Sequence, residues 1–198
     1  MNTSLIRSGY DKIAIKYLKN RDGLKSAKYI YQLLKYLPKQ SSVLDLGCGA
    51  GVPVDDILIK AGCDVVGIDI SKEQIKLAQK NCPRGDYLVS DIANLKMNEY
   101  LVNAVVCFYT IFHLPRNEHK KLLTIMHSFL QKGGMLLITM GDREFEGEHK
   151  MHDTPMWSSQ FGTVKNHKII CEVGFEILID EMDNSGGERH QIILARKI

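Results

Sequence analysis

Val43-Leu44-Asp45-Leu46-Gly47-Cys48-Gly49-Ala50-Gly51-Val52-Pro53 decides the fold. A short apolar run carrying one acid passes into three alternating glycines and then, at Pro53, into the expected start of a helix. The pattern predicts a buried strand, a tight turn and a helix. Glycine lets a backbone turn with positive φ and approach a ligand closely, so the turn is a candidate binding site. A plain strand-to-helix turn is the alternative.

Working outward, short apolar runs alternate with helical stretches from Ser42 onward, the signature of a parallel sheet covered on both faces. Strands are expected at Val43 to Leu46, Asp64 to Ile68, Asp86 to Val89, Val102 to Phe108 and Met135 to Met140. After Ile70, Ser71 and Gln74 read as a capping box for a helix burying Ile75, Ala78 and Cys82. Another helix is expected from about Asn117 to Leu130, stopped by Gly133-Gly134. A helix at Val164 to Glu172 leads to a hairpin of Phe175 to Glu181 and His190 to Ala195, joined by a turn at Asn184 to Gly187. Gly141 to Ser159 reads as a polar loop. Upstream, Tyr10, Ile13, Ala14, Tyr17 and Leu18 form one helical stripe, and Ala27, Ile30, Tyr31, Leu34 and Leu37 a second, which ends at Pro38. The expected organisation is a helical cover over 1–40 and one globular unit over 41–198.

Composition narrows the function classes. With 26 basic and 23 acidic residues the net charge is +3 and no basic block occurs, so a nucleic-acid partner is unsupported. The five cysteines (Cys48, Cys63, Cys82, Cys107 and Cys171) are odd in number and unclustered, and read as reduced, buried thiols. No window reaches membrane-spanning length and Met1 to Tyr10 lacks an apolar h-region, so a cytoplasmic protein that does not enter the membrane is expected. Oligomeric state stays open. No metal is expected: His149 and His152 sit in a charged stretch without a further ligand pattern, and read as solvent-facing.

The glycine turn admits two ligands. A dinucleotide site uses G-x-G-x-x-G with an acid about 20 residues on, and Asp69 suits that spacing. Counting from Gly47, however, the sixth place is Val52 where a glycine is wanted. Asp45-x-Gly47-x-Gly49-x-Gly51 instead resembles motif I of class I S-adenosylmethionine (SAM)-dependent methyltransferases, and the resemblance runs through most of the chain.

That resemblance implies a Rossmann-like α/β fold, a seven-stranded doubly wound sheet in the order 3-2-1-4-5-7-6 with strand 7 antiparallel. SAM would be the cofactor and S-adenosylhomocysteine the product. It implies that Asp45, Gly47, Gly49 and Gly51 face the methionine portion, that Asp69 accepts from the ribose hydroxyls with Ile70 on adenine, and that Asp91 meets the adenine amino group, with Cys48, Ile92 and Phe108 as further cofactor-site residues. For Asp69 a helix cap, and for Asp91 an ordinary loop aspartate, are the alternatives. The helix around Tyr10 and Tyr17 resembles one that lies over such a pocket, where tyrosine faces attract a sulfonium; both could equally be packing residues.

The fourth strand ends Phe108-Tyr109-Thr110-Ile111-Phe112-His113, at the position that faces the transferable methyl in this family. Its aromatic character is similar to small-molecule enzymes of the quinone and sterol type, not to the Asn-Pro-Pro-Tyr of amino-directed ones. Tyr109 and His113 are the candidate catalytic residues, His113 as a base or as a loop-ordering histidine. Phe112, Trp157 and His190 are candidates for the acceptor side, with Glu188 near His190. Relatives with a similar aromatic-Trp-Ser segment often continue with histidine, where Ser159 stands here. A small-molecule acceptor is the expected partner. An inactive SAM-binding scaffold and an NAD-dependent oxidoreductase are the rival readings.

Overall fold

A computed structural model describes residues 3–20, 27–184 and 189–198. Glu188 and most of the expected turn at Asn184 to Gly187 lie outside the described residues. The helices are α1 (Thr3–Asn20), α2 (Ala27–Leu34), α3 (Val54–Lys60), α4 (Lys72–Asn81), α5 (His119–Phe129) and α6 (Thr163–Val173). The strands are β1 (Ser42–Leu46), β2 (Asp64–Asp69), β3 (Asp86–Val89), β4 (Val102–Cys107), β5 (Leu130–Gly141), β6 (Phe145–Met151), β7 (Thr154–Gln160), β8 (Phe175–Asp183) and β9 (His190–Lys197).

Seven strands form one sheet in the order β3-β2-β1-β4-β5-β9-β8, with β9 antiparallel to both β5 and β8. Counting sheet strands alone, this is the expected 3-2-1-4-5-7-6, a Rossmann-like doubly wound sheet. Its order reverses between β1 and β4, where ligands bind in open α/β sheets. Strand alternation sends Leu44, Leu46, Val105 and Cys107 into a core under α5 and α6. Val43, Ala104, Val106 and Phe108 join a second core with α2 and α3. Sheet strands buried on both faces need no polar alternation, hence the uninterrupted apolar runs in the sequence.

The stretch expected to be a polar loop is an antiparallel ribbon, β6 paired with β7 from Phe145↔Gln160 to Met151↔Thr154. Its turn is His152-Asp153, both at positive φ, +50° and +64°. A two-residue turn with positive φ at both positions matches strand twist, but neither residue is the usual glycine, so no hairpin signal stood in the sequence. The exposed side of β6 also carries Glu146, Glu148 and Lys150, which read as loop.

Three further expectations are corrected. α5 stops at Phe129 and β5 starts at Leu130, so Gly133-Gly134 does not end the helix. The pairing of β5 jumps from Val102↔Leu130 to Ala104↔Met135, and Gly133, at φ +77°, takes up that irregularity. In α2 the buried face is Ala27, Tyr29, Ile30 and Leu33, whereas Tyr31 is 57% exposed. The buried stripe therefore runs along the other flank of Ile30. Cys48, Cys63, Cys82 and Cys107 are buried free thiols, but Cys171 is exposed on α6. Among the described residues no helix is long and apolar enough to cross a membrane.

Candidate functional site

The cleft forms where β1 and β2 end. Glycine φ angles of +81° at Gly47, +56° at Gly49 and +75° at Gly51 bend the chain sharply after Leu46. The turn is anchored by Gly47 and Cys48 N–H groups donating to the Ile68 carbonyl at 2.7 and 3.1 Å. A Cβ at Gly47 would overlap the Thr110 side chain, so the turn lies directly against the end of β4.

Asp69 sits at the centre. One carboxylate oxygen accepts the Gly49 N–H at 2.9 Å and the other the Ser71 N–H at 2.8 Å. Burial pushes its pKa from 3.8 up to about 6, the two N–H donors pull it back, and nearby Asp11 raises it further. It is not the cap of α4. That cap is Ser71, whose hydroxyl oxygen accepts the Gln74 N–H at 3.2 Å. The reciprocal half of the expected capping box is absent: Gln74 is 1% exposed, turns toward the cleft, and both its amide atoms are buried without a hydrogen-bond partner.

The cleft, about 710 Å³ including its open mouth, is walled by Thr3, Ile6, Tyr10 and Tyr17 from α1, by Gly47, Gly49, Asp69, Ile70, Ser90, Asp91 and Ile92 following β1, β2 and β3, and by Gln74 from the first turn of α4. Phe108, Tyr109, Thr110, His113 and Leu114, after β4, close it. Asp91 also caps the short turn Ile92–Asn94, accepting the Ala93 N–H at 2.9 Å.

Several sequence candidates lie behind this wall. Asp45 shares the Val43 side of β1 and is 2% exposed. Cys48 packs over Gly67, burial raising its thiol pKa well above the usual range. Gly51 backs onto Asp55, Cys82 and Tyr87. These three residues support the turn from beneath instead of walling the cleft, because alternation along β1 and the glycine turn direct them away from it. Phe112 and His190 also lie behind the wall: Phe112 stacks on His190 at 5.7 Å, and His190 meets Tyr109 edge-on at 5.1 Å, while Trp157 packs on the cluster of Ile6, Ile13 and Met156. Tyr109 itself holds φ +53°, an unusual value for a bulky residue and one that marks this segment as constrained.

His113 is held by two partners. Its Nδ1 lies 3.1 Å from the Trp157 carbonyl and its Nε2 2.8 Å from the Tyr10 hydroxyl. A carbonyl can only accept, so Nδ1 carries the hydrogen, and Nε2 accepts from the Tyr10 O–H. Burial lowers the His113 pKa from 6.5 to about 4, keeping the ring neutral. In nitrogen-15 NMR, His113 should show the Nδ1–H tautomer and no titration between pH 5 and 8. A midpoint near 6.5 would contradict this arrangement.

No sequence pattern marks Thr3, Ile6, Ser90, Thr110 and Leu114 as lining residues, and the capping-box pattern at Gln74 points its side chain back to the cap. Ser159 is fully buried and structural: its hydroxyl donates to Glu146 at 2.9 Å and accepts the Arg116 N–H at 2.9 Å. His149 is half-buried, its Nε2 2.7 Å from the Ser158 hydroxyl, and His152 packs edge-on to Tyr17, so neither simply faces solvent. Among the described residues, no group of three or more His, Cys, Asp or Glu is arranged to hold a metal.

Residues 43–134 match the model of a methyltransferase domain. Over 140 residues the chain is 31% identical to the tRNA (carboxymethyluridine(34)-5-O)-methyltransferase of Arabidopsis thaliana, covering 69% of this chain and 32% of that one. It is 28% identical over 116 residues to the trans-aconitate 2-methyltransferase of Variovorax paradoxus, covering 58% and 44%. The chain thus spans a third to under half the length of these two curated relatives. Magnesium protoporphyrin IX methyltransferase from Synechocystis PCC 6803, solved with bound SAH, has the same fold, with a TM-score of 0.78, 18% identity and full coverage of both chains.

Proposed function

We propose that this chain is a class I, SAM-dependent methyltransferase that binds SAM in the cleft under α1 and transfers the methyl group to a small-molecule acceptor. The observation that carries the cofactor half is Asp69, a buried carboxylate spanning the Gly49 and Ser71 N–H groups at the wall of the cleft. Such a group is stabilised by further hydroxyl donors, which the ribose of a nucleoside supplies. The turn fits a close ligand approach, since Gly47 and Gly49 line the cleft with no side chain of their own, and the unpaired amide of Gln74 offers a donor and an acceptor to the same ligand. Asp91 and Ile92 would meet the base, Ile70 would pack on it, and the faces of Tyr10, Tyr17 and Phe108 would surround the cationic centre.

When bound, SAM supplies a methyl group already activated on a sulfonium, so the protein's share is to orient the acceptor and exclude water. Phe108, Tyr109 and His113 present an aromatic wall suited to a compact, weakly charged acceptor, and none of the lining residues described is Lys or Arg. Where the acceptor must lose a proton, Tyr10 accepts it while passing its own proton to the neutral Nε2 of His113, an uphill transfer for a ring with a pKa of about 4 that the accompanying methyl transfer must drive.

Calorimetric titration with SAM, S-adenosylhomocysteine and NAD tests the cofactor. Binding of the first two without NAD is expected, and tight NAD binding alone would overturn it. An acceptor screen with methyl-labelled SAM over metabolites, peptides and RNA tests the rest. With an acceptor in hand, Tyr10→Phe and His113→Ala should each lower kcat by about 100-fold, because they act as one relay. The affinity of His113→Ala for S-adenosylhomocysteine should stay near normal; a large loss there would make His113 a binding residue.

A further inference from the structure

Asp11 joins α1 to the ligand side of the cleft. Its Oδ1 accepts the Ser71 hydroxyl hydrogen at 2.6 Å and the Glu73 N–H at 3.3 Å. Ser71 is fully buried, and its own N–H donates to Asp69. A single serine therefore lies between two carboxylates, one from the cover helix and one from the end of β2. Its hydroxyl hydrogen is committed to Asp11, which turns an oxygen lone pair to the Gln74 N–H.

We propose that Asp11 is a positioning residue of the ligand site, latching α1 onto the N-terminus of α4 and so setting how long a bound nucleoside stays in the cleft. The inference rests on the nucleoside-binding reading. α1 supplies Thr3, Ile6, Tyr10 and Tyr17 to one wall, and Ile70 and Gln74, flanking the α4 N-terminus, belong to the other. A ligand between them leaves more easily when α1 lifts.

The other ties of α1 run mainly to β7 and to the segment after β4. Ile6 and Ile13 share a small apolar cluster with Met156. Lys16 and Asp153 pair at 3.6 Å between side chains 55% and 97% exposed, a geometry that contributes little. Tyr10 fastens the acceptor side through His113. Asp11 fastens the nucleoside side with two charge-assisted hydrogen bonds from a half-buried position, the stronger kind of polar contact.

The test uses Asp11→Ala and Asp11→Asn. Stopped-flow dissociation of S-adenosylhomocysteine is read beside amide hydrogen exchange of α1 in the ligand-free protein. Asp11→Ala should speed dissociation about tenfold and accelerate exchange in α1, since a charge-assisted hydrogen bond is lost. Asp11→Asn keeps a carbonyl oxygen for Ser71 and Glu73 and should stay within about threefold of wild type on the same scale. Unchanged dissociation in Asp11→Ala overturns the proposal, as does Asp11→Asn matching Asp11→Ala. If the wild type binds no S-adenosylhomocysteine, the nucleoside reading fails and exchange alone judges the latch: α1 exchanging no faster in Asp11→Ala overturns it.

Discussion

Asp69→Ala should weaken S-adenosylhomocysteine binding by about 100-fold or more, the loss of two hydrogen bonds to a buried charged acceptor. Asp69→Asn should do nearly as badly. Both carboxylate oxygens face backbone N–H donors, from Gly49 and Ser71, so an amide must turn its NH2 against one of them. The wild type should also show a pH dependence of defined sign. In the unliganded protein the Asp69 pKa is raised from 3.8 to about 6, so the folded state binds its proton more tightly than the unfolded chain. The contribution of Asp69 to stability thus falls as pH rises from about 4 to about 6, and above that window the ionised group carries a constant cost of about 3 kcal/mol. Ligand hydroxyls that donate to the carboxylate offset this cost and lower its pKa. Affinity should therefore be constant above about pH 7 and drop as pH falls through 6, approaching tenfold per pH unit. Calorimetry between pH 5 and 8 reads this directly. A flat profile, or wild-type affinity in Asp69→Ala, would show that the ligand does not engage this carboxylate.

Gly47→Ala should damage both the fold and the site. At φ +81° an L side chain costs about 1–2 kcal/mol, and the added Cβ would press into Thr110 for a further 1–3 kcal/mol or so. For a chain of this size that amounts to a fall in Tm of roughly 5–15 °C. Binding of S-adenosylhomocysteine should fall with it, since the displaced turn carries the Gly49 N–H that helps hold Asp69. Combining Gly47→Ala with Thr110→Gly removes the overlap but leaves the backbone strain, so Tm should recover only in part. Wild-type melting and binding for Gly47→Ala would mean that the turn relaxes freely. Full recovery in the double variant would mean that the positive φ costs nothing.

Much of this was legible in the chain. The apolar runs at Val43, Asp64 and Val102 gave the parallel strands because a sheet buried on both faces has no polar side to interrupt them. The spacing from Asp45 through Gly51 to Asp69 located the turn and its acid. The ribbon β6–β7 was not legible, because its strands alternate charged residues over an open surface and its turn places positive φ on His152 and Asp153 instead of glycine. The course of the Gln74 side chain was illegible for a related reason. A capping-box pattern states that Gln74 lies at the start of a helix, but not whether its amide reaches back to the cap or forward into a cleft.

By itself, then, the sequence determined the order of elements, the glycine turn and the acid opposite it, since these depend on local periodicity and on backbone angles that few residues allow. Only the tertiary structure decided which side of the turn Asp45, Cys48 and Gly51 occupy, that His113 answers to Tyr10 and Trp157, and that Asp11 reaches Ser71. Those contacts join residues from 44 to 103 positions apart, and their geometry is fixed by how α1 and the ribbon pack on the sheet, which no local pattern encodes.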